Sequence, residues 1–172
     1  MKNILTWGCI LLFLSCMKSN HKTDEISKVE LARSGAWSDY GSAISIDSSL
    51  NYKYCDDNFK GANFVGKIDK RFWDTLTTRL EADNFTTIDS TTDMNTFDAS
   101  YFELIIHWNN KRKRIIRVGN GREPIVKLCS WLDSSYKKVH LSRINQPIKF
   151  ESEFQKKRRP PFHDTSTSAQ EK

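Results

Sequence analysis

Apolar and polar residues alternate along the chain in several short blocks, and in two others they recur at a helical period. Residues 29–33 (Val-Glu-Leu-Ala-Arg) alternate and predict a first strand. Residues 34–41, rich in Gly, Ser and Asp, predict a turn region. Residues 43–46 alternate again. Asp47-Ser48-Ser49 is a turn signal, and residues 50–54 place Leu50, Tyr52 and Tyr54 on one face of the hairpin partner. Residues 63–68 predict the strand that leads into the first helix. Asp69 is a good N-cap for that helix, and Phe72, Trp73, Leu76 and Leu80 recur at its spacing over residues 70–82.

Asn84 and Phe85 end this helix, and the polar residues 86–100 read as a loop. Residues 101–108 are apolar and β-prone, Asn109-Asn110 is a tight turn, and residues 111–118 return antiparallel. Gly119-Asn120-Gly121 breaks that strand. Pro124 suits the first turn of a second helix, whose stripe is Ile125, Leu128, Cys129, Leu132 and Tyr136. Residues 139–150 can add a last strand, interrupted by Pro147. The order β-β-β-α-β-β-α, with a final β, predicts an α+β fold. Hairpins dominate it, so the sheet should be largely antiparallel with two helices packed on one face.

The N-terminal residues follow a different rule. Lys2 supplies a short positive start, and the run Ile4 to Leu14 is apolar. Such a run is shorter than the roughly 20 residues that cross a bilayer core as a helix, but it suits a cleaved export signal. Phe13-Leu14-Ser15-Cys16 resembles the bacterial lipobox: apolar residues, a small one, then cysteine. The small Ser15 suits a peptidase pocket, and the thiol of Cys16 is the acceptor for a diacylglycerol. Phe13 departs from the usual Leu, and Cys9 has too little apolar chain before it. The chain therefore divides into a signal at 1–15, a polar spacer at 16–27 beginning at lipidated Cys16, a single α+β domain at 28–150, and a polar, basic, mobile tail at 151–172. No Asp follows the cysteine directly. The expected address is the outer membrane, on its periplasmic face.

Composition adjusts this picture only slightly. The chain has 172 residues, enough for one domain with a real core. Five Trp and ten Phe speak against a disordered chain. The net charge of +6 admits anionic partners, but much of it sits in two runs, Lys111-Arg112-Lys113-Arg114 and Lys156-Lys157-Arg158-Arg159. The first run lies on a hairpin, where charge also guards an edge. Either run could contact an anionic surface such as lipid headgroups. Nucleic acid is not expected, because no aromatics interleave with the basic residues.

Other candidate chemistry is sparse. Cys55 and Cys129 lack zinc-ligand spacing and read as two buried thiols, with a disulfide as the alternative in an oxidising envelope. His21, His107, His140 and His163 form no metal-spaced pair. The spaced oxygens from Asp89 to Asn95 resemble a calcium loop without its central Gly and terminal Glu. Asp89-Ser90-Thr91 fits a short O-glycosylation motif, which makes Ser90 a candidate. No catalytic residue, metal site or cofactor is assigned.

The pieces Arg33-Ser34-Gly35, Gly66-Lys67-Ile68, Phe72 through Phe85, and Ile116-Arg117-Val118 running to Pro124, Leu128 and Leu132 give the chain a wider likeness. Over residues 29–136 it resembles an uncharacterised domain family common in lipoproteins of the Bacteroidota. Members carry a cysteine pair in the first turn, where this chain has Ala36 and Tyr40. The resemblance implies an address and a fold, and no activity. The expected function is a membrane-tethered envelope lipoprotein acting as a binding or assembly module, its partners being the membrane, through the N-terminal lipid, and an unidentified envelope protein or glycan. The alternative is an envelope glycan-acting hydrolase with paired carboxylates, drawn from Asp39, Asp56, Asp57 and Glu103.

Overall fold

Each alternating block pairs with a neighbour running the other way. The computed structural model describes residues 25–34, 41–56, 62–90 and 99–156. Its strands are β1 (Ile26–Arg33), β2 (Ser42–Asp47), β3 (Asn51–Asp56), β4 (Ala62–Lys67), β5 (Tyr101–Trp108), β6 (Lys111–Val118) and β7 (Leu141–Ile144). Its helices are α1 (Lys70–Ala82), α2 (Pro124–Asp133) and the short α3 (Glu153–Lys156). The strands form one antiparallel sheet in the order β6-β5-β1-β2-β3-β4-β7. This is the expected α+β architecture. Four strands precede α1, where the expected order counted three, because all four alternating blocks find partners. β1 begins at Ile26, inside the expected spacer, and pairs there with Trp108.

The connections explain why both long helices share a face. β1 to β4 meander. α1 then carries the chain back across β3, β2 and β1 to β5, and α2 returns it from the β6 edge toward β7. Asp69 caps α1 as expected, its carboxylate accepting the Phe72 amide at 2.7 Å. Leu76 and Leu80 are fully buried, each contributing about 2 kcal/mol by burial. α2 buries Ile125, Val126, Leu128, Cys129 and Leu132. Tyr136 falls beyond it, on a 3-10 turn (Ser135–Lys138). The facing sheet layer is set by register: Val29 lies between Ile46 and Ile106, and Leu31 between Ile44 and Leu104. Trp131 of α2 stacks on Phe72 of α1 at 4.8 Å, with the Arg79 guanidinium 4.7 Å from its ring centre.

Turns and edges follow local chemistry. Asn109 and Asn110 both have positive φ, as a two-residue hairpin turn requires. At Gly66 a Cβ would stand 2.6 Å from the His140 carbonyl oxygen, so only glycine lets β7 close onto β4. The open edge of β6 is blocked by side chains. Ser90 Oγ donates to the Arg114 carbonyl at 3.0 Å and accepts the Ile116 amide at 3.2 Å. Arg117 Nη1 donates to the Ile116 carbonyl at 2.9 Å. An edge strand closed in this way is a poor template for a further strand.

The second sheet face departs most from expectation. Residues 151–154, predicted to open a mobile tail, lie against it instead: Ser152 is 1% exposed and α3 packs on β1. The reason is a set of charged contacts that hold this segment in place.

Candidate functional site

Two carboxylates sit in the middle of the second face. Glu103 on β5 has Tyr101 and Ile105 as its neighbours on that face. Glu30 on β1 pairs opposite Ile105, while Ala32 pairs opposite Glu103, so the two carboxylates are diagonal neighbours. Both are buried, Glu103 at 0% and Glu30 at 2% exposure. A buried carboxylate is tolerated only when its oxygens are satisfied. Glu103 meets four donors: Arg114 Nε, Ser152 Oγ, and the amides of Glu153 and Phe154 at 3.2 Å each. Burial alone would push its carboxyl up. The Ser152 hydroxyl, the Arg114 guanidinium and the two amides outweigh that and hold it below the usual carboxylate range.

Glu30 accepts the Glu151 amide at 2.8 Å. Lys28 Nζ lies 2.6 Å from Glu30 Oε1 as an ion pair, although the approach is off the hydrogen-bonding direction. The same ammonium donates to Glu151 Oε1 at 2.9 Å. The Glu151 carboxylate also meets His107 Nε2 at 3.0 Å and Arg112 Nε at 3.0 Å. Burial pushes the Glu151 carboxyl up, but Lys28, His107 and Arg112 prevail and hold it low. Burial pulls Lys28 down, and its contacts with Glu30 and Glu151 win, so its ammonium is held above the usual value. Together these groups form a clasp in which sheet carboxylates take the amides of 151, 153 and 154 while sheet cations take the Glu151 carboxylate.

A second polar set lies on the helix-side face at the far end of the sheet. Ser42 Oγ donates to Asp133 Oδ1 at 2.7 Å, and Arg33 Nε is 3.4 Å from Asp133 Oδ2. Tyr54 donates to Asp56 Oδ2 at 2.5 Å, and Tyr52 shares a 2.8 Å hydrogen bond with Ser135. Burial pushes both phenols up, so they stay protonated. Tyr136 stacks on Tyr54 at 4.6 Å. These contacts fasten the end of α2 and the turn after it to β2 and β3.

The residues singled out in the sequence fare differently. Cys16, Asp39, Asp57, His21, His163 and residues 157–159 lie outside the described residues, as does most of the calcium-like loop; Lys156 ends α3. Asp56 and Glu103 are both buried but stand on opposite faces of the sheet. Asp56 shares a face with Tyr54 and the core, and Glu103 lies beneath residues 152–154, so no single cleft holds this pair. Cys55 and Cys129 are both buried and are not joined by a disulfide; Cys55 stands on the second face and Cys129 in the helix-side core. Burial pushes the Cys129 thiol up to about 12. In the basic hairpin, Arg112 and Arg114 turn toward the clasp, Lys113 Nζ reaches the Thr86 carbonyl on the other side, and Lys111 is exposed at the turn. Ser90's hydroxyl is engaged along β6, as described above.

Sequence reasoning missed Glu30, Lys28, Glu151 and Ser152. One signal was available. Glu103 stands in Tyr-Phe-Glu-Leu-Ile, with apolar residues two places away on either side, and a carboxylate with apolar neighbours on its own face marks that face as covered. The second face also carries an open depression of about 530 Å³, lined by Asn51, Lys53, Val65, Lys67, His140 and Ser142 among others. None of the described residues that line it is a carboxylate. Among the described residues no group of acidic, His and Cys side chains could hold a metal ion. Compared with known proteins, the chain matches no family model, no curated protein and no solved structure.

Proposed function

We propose that this chain is an envelope lipoprotein tethered through Cys16, and that its folded domain is a binding or assembly module for an envelope protein or glycan. The observation that carries this reading is the apolar run Ile4 to Leu14 closed by Ser15-Cys16 behind Lys2. Two or three acyl chains on one residue anchor far more firmly than one. No Asp directly follows Cys16, and this favours the periplasmic face of the outer membrane as the address. No helix among the described residues is long and apolar enough to cross a membrane.

The point where the chain enters the fold is in keeping with a tether. The Glu25 amide donates to Asn109 Oδ1 at 3.1 Å, and the Asn109 amide donates back to the Glu25 carbonyl at 3.3 Å. The segment arriving from Cys16 therefore joins the domain beside the β5–β6 turn. Lys111 and Arg112 are exposed at that same end, where anionic headgroups would meet them. The test is fractionation of cells expressing the full chain or its Cys16→Ser variant, with labelled palmitate. The wild type should take up label and sediment with membranes, and the variant should do neither. Equal membrane association and equal label in both would overturn the reading.

A further inference from the structure

We infer that the second sheet face over β1, β5 and β6 is a peptide-docking site, and that the chain's own C-terminal segment occupies it and holds it shut. The inference is independent of the lipid on Cys16.

Recognition is concentrated in four consecutive residues. Glu151 offers an amide to Glu30 and a carboxylate to Lys28, His107 and Arg112. Ser152 offers a hydroxyl to Glu103, and Glu153 and Phe154 offer amides to the same carboxylate. Three of these donors are backbone groups that any peptide carries. The side chains required are one carboxylate followed directly by one hydroxyl, at the start of a helical turn. That order defines the ligand class.

The rest of the segment is attached like a ligand on a leash. Residues 145–150 form no helix or strand, and Asn145, Gln146, Pro147 and Lys149 are exposed. β7 and β1 are four strand spacings apart, about 19 Å. The connection from Ile144 to Glu151 can reach roughly 23 Å when extended, so it crosses the face nearly straight. Beneath the docked segment lie Ile105 at 0% and Ile116 at 6% exposure, besides the two buried carboxylates. An empty site would leave these apolar side chains bare and both carboxylates short of donors, so it favours refilling by any peptide with matching groups.

Tethering sets the order of competition. A segment on a short leash acts at an effective concentration in the millimolar range. A free peptide at micromolar concentration therefore cannot displace it until the leash is cut or the segment is drawn away.

The experiment uses the full chain with a protease recognition sequence inserted between Asn145 and Gln146. Before cutting, a fluorescent peptide copying residues 147–156 should not bind. After cutting, the released segment should still co-elute with the domain, and the fluorescent peptide should exchange into its place. Peptides carrying Ser152→Ala or Glu151→Ala should bind about tenfold or more weakly, the scale of one hydrogen bond to a charged group, and these variants leave the domain untouched. In the uncut chain, the amides of Glu151, Glu153 and Phe154 should exchange hydrogen faster than those of Val29 and Leu104, and Glu103→Gln should accelerate the former selectively. Failure of a folded, cut domain to take up the peptide would overturn the inference, as would variant peptides that bind as tightly as the unaltered one. Loss of the fold on cutting, or exchange of those three amides only together with the core, would overturn it too, by making the segment part of the core.

Discussion

The amide of Glu151 donates to the buried carboxylate of Glu30 at 2.8 Å, across 121 residues of sequence. This bond joins the last described segment to the first strand, and the contacts at Glu103 join it to β5. Glu103→Ala removes the acceptor of four donors at once. The expected loss is roughly 2–4 kcal/mol, below the full cost of breaking a buried pair because Arg114 can turn to water. Urea unfolding measures it, and Glu103→Gln, which keeps one acceptor oxygen, should lose less. A loss below about 0.5 kcal/mol, the usual bound for surface changes, would contradict the clasp.

Acid should loosen the same clasp. Glu103 and Glu151 are both held below the ordinary glutamate value of 4.5. Their contribution to stability is fully present above that value and is lost as pH falls through their lower folded values. Lys28, held above its ordinary 10.5, contributes fully below that value and loses its contribution as pH rises through its folded value. Urea midpoints should therefore be limited by this cluster only below about pH 4.5 and above about pH 10.5. Glu103→Gln should flatten the acid side, and an unchanged acid slope would speak against the assignment.

Ser90 closes the β6 edge through one oxygen. Ser90→Ala should cost about 1–2 kcal/mol for the two hydrogen bonds and should speed exchange of the Ile116 amide without affecting that of Leu104. Protection of Ile116 equal to wild type would mean that the edge is closed by other groups. O-glycosylation of Ser90, the modification suggested by its motif, would remove the hydroxyl donor to Arg114. Intact mass of the protein from its native host reports whether this residue is modified.

Gly66→Ala would bring a methyl to 2.6 Å from the His140 carbonyl oxygen. The neighbour is backbone, so β7 must shift. A loss of about 1–3 kcal/mol is expected from overpacking, with faster exchange confined to Leu141–Ile144. Wild-type stability would show that β7 pairs more loosely than the register requires.

Cys129, with its thiol pushed up to about 12 and 1% exposure, should resist alkylation at pH 8 in the folded chain and react once the chain is unfolded. Mass after alkylation in denaturant should show Cys55 and Cys129 both modified without prior reduction. An unmodified pair that reacts only after reduction would reveal a disulfide between them.

Much of the helix-side half of the fold was legible in the sequence because its signals are local. The stripe Phe72, Trp73, Leu76 and Leu80 and the cap at Asp69 specify α1 within fourteen residues, and alternation places Val29 and Leu31 on the core face. The clasp was not legible for the opposite reason. Residues 145–154 have no period of their own, and their partners lie 49 residues away at Glu103 (from Ser152) and 121 away at Glu30 (from Glu151). Glu30 looks like an ordinary solvent-face residue in an alternating strand until another segment covers that face. The hairpin charges show the same limit: the sequence of the run does not say which carboxylates Arg112 and Arg114 meet.

The most direct measurement is the intact mass and N-terminal sequence status of the mature protein extracted from membranes. A chain tethered as proposed begins at Cys16 and carries diacylglyceryl, with or without a third acyl group on its amine. A mature chain that begins at another residue, or one that begins at Cys16 with a free thiol, would contradict the tether.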